Sequence, residues 1–269
     1  MCATCGCGND TTTITVAGLG APPRVQGGEH PHSHDHDHSH THTETITLEQ
    51  KVLAKNDLIA EHNRQWLAEH AILALNVTSS PGAGKTTLLE RTIRELEGDR
   101  PIAVIEGDQE TLLDAERIRA AGARAVQVNT GAGCHLDADM VHRALHALNP
   151  EPESLLFIEN VGNLVCPALF DLGEHSKVVV ISVTEGQDKP LKYPHMFAAA
   201  GLVLINKIDL VPYVNFDLET CLGSARSVNP GVEILPVSAT VGDGLDAWYD
   251  WIRTKIDVLA NSCYVPTTR

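Results

Sequence analysis

The hydrophobic pattern changes character near Thr45. Before it, apolar residues are sparse and unperiodic; after it, helical periodicities and short apolar runs alternate down the chain. Across 45–71, Ile46, Leu48, Val52, Leu53, Leu58, Ile59, Trp66 and Leu67 recur at roughly helical spacing, which predicts an amphipathic helix. Thr47 ahead of Leu48-Glu49-Gln50 gives it a capping-box-like start. Its expected role is structural, packing on the outside of the domain or joining a dimer contact. Continuous apolar runs then predict strands at 72–77, 102–106, 125–128, 155–159, 177–183, 203–206 and 232–237. Helix-like runs lie between them at 88–96, 110–121, 137–148, 191–199 and 218–228, and a last one starts at 244. Apolar strands alternating with helices indicate a mostly parallel sheet covered on both faces, a doubly wound α/β fold. Functional residues are then expected at the carboxyl ends of the strands.

The first strand runs into Ser79-Ser80-Pro81-Gly82-Ala83-Gly84-Lys85-Thr86-Thr87. Strand, Gly-rich turn, Gly-Lys-Thr and helix is the context of a phosphate-binding P-loop NTPase. Gly82 and Gly84 permit the tight turn, Ala83 and Thr87 complete the cradle of backbone N–H groups, and the helix N-terminus adds positive dipole. Lys85 is expected on the β- and γ-phosphates, with the Thr86 hydroxyl on Mg²⁺. Ser79 stands where the usual pattern has its first Gly. Asn206-Lys207-Ile208-Asp209 follows a later strand and has the form of the guanine-reading loop of GTPases. The Asp209 carboxylate can accept from guanine N1–H and the 2-amino group, a pair that adenine lacks; Lys207 can lie along the base. Ser238-Ala239 after the last strand reads as the supporting base loop.

Two acidic strand ends lie between these loops. Asp108, in Glu106-Gly107-Asp108-Gln109, is the choice for the switch I carboxylate. Glu159, in Glu159-Asn160-Val161-Gly162, stands where GTPases place the Asp of D-x-x-G. Lys85, Asp108 and Glu159 are thus the candidate catalytic groups; Thr86, Asp108 and Glu159 are the Mg²⁺ candidates, and Gly162 can offer its N–H to the γ-phosphate.

The 269 residues carry a net charge of −15, which argues against a nucleic-acid partner. No apolar run is long enough to span a membrane and no signal-peptide pattern opens the chain, so a cytoplasmic protein is expected. Seven cysteines are unevenly placed. Cys2, Cys5 and Cys7 can wrap one soft or borderline metal ion, with a redox pair as the weaker alternative. Residues 11–28 read as linker. His30, His32, His34, His36, His38, His40 and His42 alternate with polar residues and can hold several divalent ions loosely; a solvated linker is the other reading. Residues 1–44 therefore form a mostly disordered metal-binding extension to a 45–269 domain. Cys134-His135 and Cys166 are soft ligands inside that domain. Neighbouring side chains are expected to diverge, so a metal there calls for two copies facing each other across a two-fold axis. Burial as small hydrophobes is the alternative, and the reading taken for Cys221 and Cys263.

Together these motifs resemble the nickel-incorporation GTPases of hydrogenase maturation, the HypB family, in the SIMIBI class of P-loop GTPases. The resemblance rests on Cys-x-x-Cys-x-Cys-Gly, the His tract, Ser-Ser-Pro-Gly-x-Gly-Lys-Thr-Thr, Glu-Gly-Asp, Gly-x-x-Cys-His-Leu-Asp, Glu-Asn-Val-Gly-Asn-Leu-Val-Cys-Pro and Asn-Lys-x-Asp. It implies a slow GTPase that cycles GTP and GDP and delivers nickel to [NiFe]-hydrogenase large-subunit precursors. It further implies a GTP-dependent homodimer, a HypA-type nickel/zinc partner, a tight nickel site at Cys2, Cys5 and Cys7, and a nickel or zinc site at Cys134, His135 and Cys166 in the dimer interface. A nickel buffer with a vestigial nucleotide site, and the related urease nickel-delivery GTPase, are the alternatives.

Overall fold

The structure, a computed structural model, describes residues 13–16, 42–108, 113–131 and 133–263. Cys2, Cys5, Cys7 and the tract from His30 to His40 lie outside these residues; His42 is the first residue of a helix.

Among the described residues, eight strands form one sheet: β1 (Thr13–Val16), β2 (Leu73–Ser79), β3 (Ile102–Asp108), β4 (Arg124–Asn129), β5 (Leu155–Glu159), β6 (Ser176–Ser182), β7 (Leu202–Asn206) and β8 (Glu233–Pro236). Their order is β1-β4-β3-β5-β2-β6-β7-β8. The pairs from β4 to β8 are all parallel, and β1 adds antiparallel to the β4 edge. The helices are α1 (His42–Glu69), α2 (Lys85–Glu95), α3 (Leu113–Ala120), α4 (Ala138–Leu148), α5 (Lys189–Lys192), α6 (Pro194–Ala198), α7 (Leu218–Val228) and α8 (Leu245–Cys263).

The sheet is buried on both faces, which is why its strands read as unbroken apolar runs. Leu73, Leu75 and Val77 of β2 point to one face, where Leu88, Leu89 and Ile93 of α2 meet Trp248 and Ile252 of α8. Ala74 points to the other, with Leu67 of α1 and Val141 and Leu145 of α4. Val179 and Ile181 continue that face under Met196, Phe197 and Cys221. Strand β2 is central, so the loop leaving it opens between its two neighbours, where α/β sheets bind ligands.

Three expectations are corrected and one turn is added. Thr13–Val16, within the stretch read as linker, pairs with β4; four residues are too short for a periodic signal. Helix α1 begins at His42, so Thr47 lies inside it; no Gly or Pro in 42–47 stops the helix. The expected helix 191–199 is split into α5 and α6 at Tyr193 (φ −124°, ψ 54°), because the residue before Pro194 is forced out of the helical region. Asp209 and its neighbours lie in a 3₁₀ turn, Ile208–Tyr213, with no sequence period to announce it.

Candidate nucleotide and metal site

Gly82 and Gly84 take left-handed φ values of 73° and 100° in the loop between β2 and α2. A Cβ on Gly84 would lie 2.6 Å from Asn206 Nδ2, so the turn needs glycine there for space as well as for backbone conformation. That asparagine ties three loops together. Its Nδ2 donates to Ala83 O at 2.9 Å, and its Oδ1 accepts from Ala239 N at 3.0 Å. Lys207, itself left-handed at φ 64°, donates to Gly82 O at 2.8 Å. Ser238 Oγ donates to Asp209 Oδ1 at 2.5 Å and accepts from Val241 N. Gly82, Ala83, Gly84, Asn206, Lys207, Asp209, Ser238 and Ala239 thus form one hydrogen-bonded rim at the carboxyl ends of β2, β7 and β8. Below it, Lys85 Nζ donates to Ser79 Oγ at 2.9 Å, the hydroxyl that replaces the usual first Gly. Thr87 Oγ1 accepts from Arg117 at 3.4 Å.

The floor is acidic. Thr86 Oγ1 donates to Glu159 Oε1 at 2.8 Å. Glu159 pairs in register with Glu106 across β5 and β3, and Asp108 ends the same strand. Glu106 and Glu159 are 2% and 3% exposed, and Oε2 of each has no hydrogen-bond partner among the described residues. Burial, then the Glu159 and Asp108 charges, push Glu106 up to about 9. Burial also raises Glu159, against the pull of Lys85 and the Thr86 hydroxyl. Two buried carboxyls with unused oxygens beside a hydroxyl form a hard donor set suited to Mg²⁺. Sequence reasoning chose Asp108 and passed over Glu106. The signal that could have found it is the period-two repeat of a strand, which puts Glu106 and Asp108 on one face. Lys189 was also missed: its Nζ bonds Ser80 Oγ at 3.1 Å and Glu185 at 2.9 Å.

One loop joins this floor to the soft ligands. After Glu159, Asn160 Oδ1 accepts from Leu136 N at 3.1 Å, and Gly162 packs so closely on Pro81 that a Cβ would lie 3.1 Å from its Cα. Asn163 Nδ2 then donates to Cys134 O at 3.2 Å. The loop ends in a 3₁₀ turn, Cys166–Ala168, held to β6 by the buried Lys177 ammonium, which donates to Pro167 O at 2.7 Å. Donor atoms of Cys134, His135 and Cys166 all lie within 4.8 Å of one another. The two Sγ atoms are 3.1 Å apart, and His135 Nδ1 is 3.7 Å from Cys134 Sγ. The expected divergence of Cys134 and His135 does not occur. The chain leaves β4 irregularly and caps α4 at Asp137, which turns both side chains toward Cys166. His135 is buried against Phe170, ring centroids 4.1 Å apart, and burial holds its imidazole below the ordinary range, so a lone pair is available near neutral pH. Two thiols and an imidazole suit nickel or zinc.

Residues 73–236 match the family model described as CobW/HypB/UreG, nucleotide-binding domain. The chain is 59% identical over 210 residues to the hydrogenase maturation factor HypB of Escherichia coli K12, covering 78% of this chain and 72% of that one. The chain belongs to the HypB family. The crystal structure of HypB from Archaeoglobus fulgidus superposes with a TM-score of 0.70 at 41% identity, covering 76% of this chain and 99% of that one. HypB from Helicobacter pylori, solved in complex with nickel, gives 0.71 at 36% identity, covering 80% and 99%. The doubly wound P-loop fold is thus the HypB fold, and of the rim described above all but Ser238 and Ala239 lie within the matched residues 73–236. No helix among the described residues is long and apolar enough to cross a membrane.

Proposed function

We propose that this chain is a GTP-hydrolysing metallochaperone that binds nickel and passes it to [NiFe]-hydrogenase large-subunit precursors. The observation that carries this reading is the single loop from Glu159 to Cys166, which contacts the P-loop at one end and supplies a soft ligand at the other. GTP would sit on the rim, with Asp209 reading guanine and Lys85 moving from Ser79 onto the β- and γ-phosphates. Thr86, Asp108 and Glu159, with Glu106 behind them, would hold Mg²⁺, which supplies charge neutralisation at the phosphates. Gly162 N–H would meet the γ-phosphate, so hydrolysis would change the position of the loop that bears Cys166. Hydrolysis is slow in this reading, since no Arg finger or catalytic Gln is built into the motifs. Cargo nickel, or zinc in its place, would be held by Cys134, His135 and Cys166, with the Cys2, Cys5 and Cys7 cluster as the tight nickel site and the His tract as a loose store. Val165 and Leu169, 57% and 55% exposed, flank Cys166 with apolar surface suited to a GTP-dependent homodimer contact. A HypA-type nickel/zinc protein is the proposed partner, and the cytoplasm the proposed compartment. GTP turnover tests the enzyme half: Lys85→Ala lowers the rate by at least about 100-fold. Equal rates would reduce the chain to a nickel buffer.

A further inference from the structure

A second group of imidazoles stands away from the Cys134–His135–Cys166 cluster, on the outer face formed by α1 and α4. His142 and His146 are one turn apart on α4, and their Nε2 atoms face each other at 3.2 Å. His62 of α1 stands edge-on to His142, ring centroids 5.3 Å apart. The pair is half-buried at His142 and exposed at His146, within reach of dissolved ions.

The protonation pattern is set by Asn63, which is fully buried between the two helices. Its Nδ2 donates to Ala138 O at 2.9 Å and Leu172 O at 3.1 Å, which fixes the amide orientation and leaves Oδ1 as an acceptor. That Oδ1 lies 3.1 Å from His142 Nδ1, so Nδ1 must carry the proton. In the neutral ring the lone pair is then on Nε2, aimed at His146. An imidazole whose far nitrogen is held by a fixed oxygen is the arrangement that orients a histidine toward a metal. Burial, with the neighbouring imidazoles adding, keeps His142 below the ordinary range and so neutral near pH 7.

The spacing fits one ion. Two nitrogens each about 2.0–2.1 Å from a metal stand about 2.9 Å apart at a right angle and about 3.4 Å apart at the tetrahedral angle. The observed 3.2 Å falls between these. We propose that His142 and His146 form an accessory site for a divalent first-row transition ion such as Ni²⁺ or Zn²⁺, completed by water, with His62 beside it. Two imidazoles on a water-exposed face make a weak, fast-exchanging site, on the same helix that leaves the Cys134–His135 loop.

The test is residue-resolved, because the His tract and the thiols also bind metal. The full-length protein is carbethoxylated with diethyl pyrocarbonate, with and without excess Ni²⁺, and modification is quantified at each histidine by peptide mass spectrometry. At near-saturating Ni²⁺ the rates at His142 and His146 fall together by about tenfold, while exposed His195 is unchanged. In His146→Gln the Ni²⁺ protection of His142 is lost. Unchanged rates at both positions, or protection of His142 that survives in His146→Gln, would overturn the proposal and leave a hydrogen-bonded pair.

Discussion

Asn206 has one side chain and three loops to hold. Replacing it by alanine leaves the Ala239 N–H and the Ala83 carbonyl without their partners, in a position that is 1% exposed. Such a loss costs about 2–3 kcal/mol. The expected outcome for Asn206→Ala is a lower unfolding midpoint together with weaker GDP binding; calorimetry and a fluorescent-nucleotide titration check both, and an unchanged midpoint would contradict the tying role. Asp209 makes a narrower claim. Its Oδ1 is already fixed by Ser238, so Asp209→Asn keeps a partner but presents an amide to the base. Guanine preference relaxes, measured as the ratio of GDP to ADP affinity falling by at least about tenfold. Both residues were legible from the sequence, because Asn-Lys-x-Asp places polar groups directly after an apolar run. Glu106 was harder: two carboxylates separated by one glycine look alike in a sequence, and only the β3–β5 register shows which of them faces Glu159.

Among the elements, the strands were the most legible, since a sheet buried on both faces leaves long apolar runs. Helix boundaries were less so, because Tyr193 and the His42–Thr47 stretch are decided by backbone sterics and by packing elsewhere. Polar groups that finish an element were not legible. The β2–β6 ladder begins at Leu75 and Ser176, and His175 extends it with a side chain: Ala74 N donates to His175 Nδ1 at 3.2 Å, while His175 N donates to Ala74 O at 2.9 Å. The bond to Nδ1 needs an unprotonated nitrogen. Burial, with the Arg64 charge adding, lowers the His175 pKa, so the unfolded chain takes up this proton at higher pH than the folded one. Its contribution is therefore present above the unfolded value near 6.5 and is lost as pH falls below it, by at most about 1.4 kcal/mol per unit. Glu106 and Glu159, raised by burial, act in the opposite direction over this range in both proteins, so the prediction is a difference: in thermal melts from pH 7.5 to 5 the stability of the wild type relative to His175→Gln falls as pH falls. His135 and His142, lowered in the same direction as His175, are common to both proteins and cancel in that difference. Identical slopes would contradict the assignment.

Across the whole molecule, the sheet places hard and soft chemistry on one side and a single loop between them. The carboxylates Glu106 and Glu159 belong to strands, the thiols to the loops beyond them, and Asn160, Gly162 and Asn163 touch both groups on the way. The motifs at each end could be read in the sequence. Their closeness could not, since Cys134 and Cys166 are separated by a helix and a strand, and the turn that aims Cys134 and His135 the same way is irregular. The central claim is that the nucleotide state changes the grip on the metal. The direct measurement is Ni²⁺ affinity at the Cys134–His135–Cys166 cluster, followed by thiolate-to-nickel charge-transfer absorbance in a Cys2→Ala, Cys5→Ala, Cys7→Ala background. With GDP and with a non-hydrolysable GTP analogue the two affinities should differ by about tenfold or more, a coupling of about 1.4 kcal/mol. Affinities equal in the two nucleotide states would contradict it.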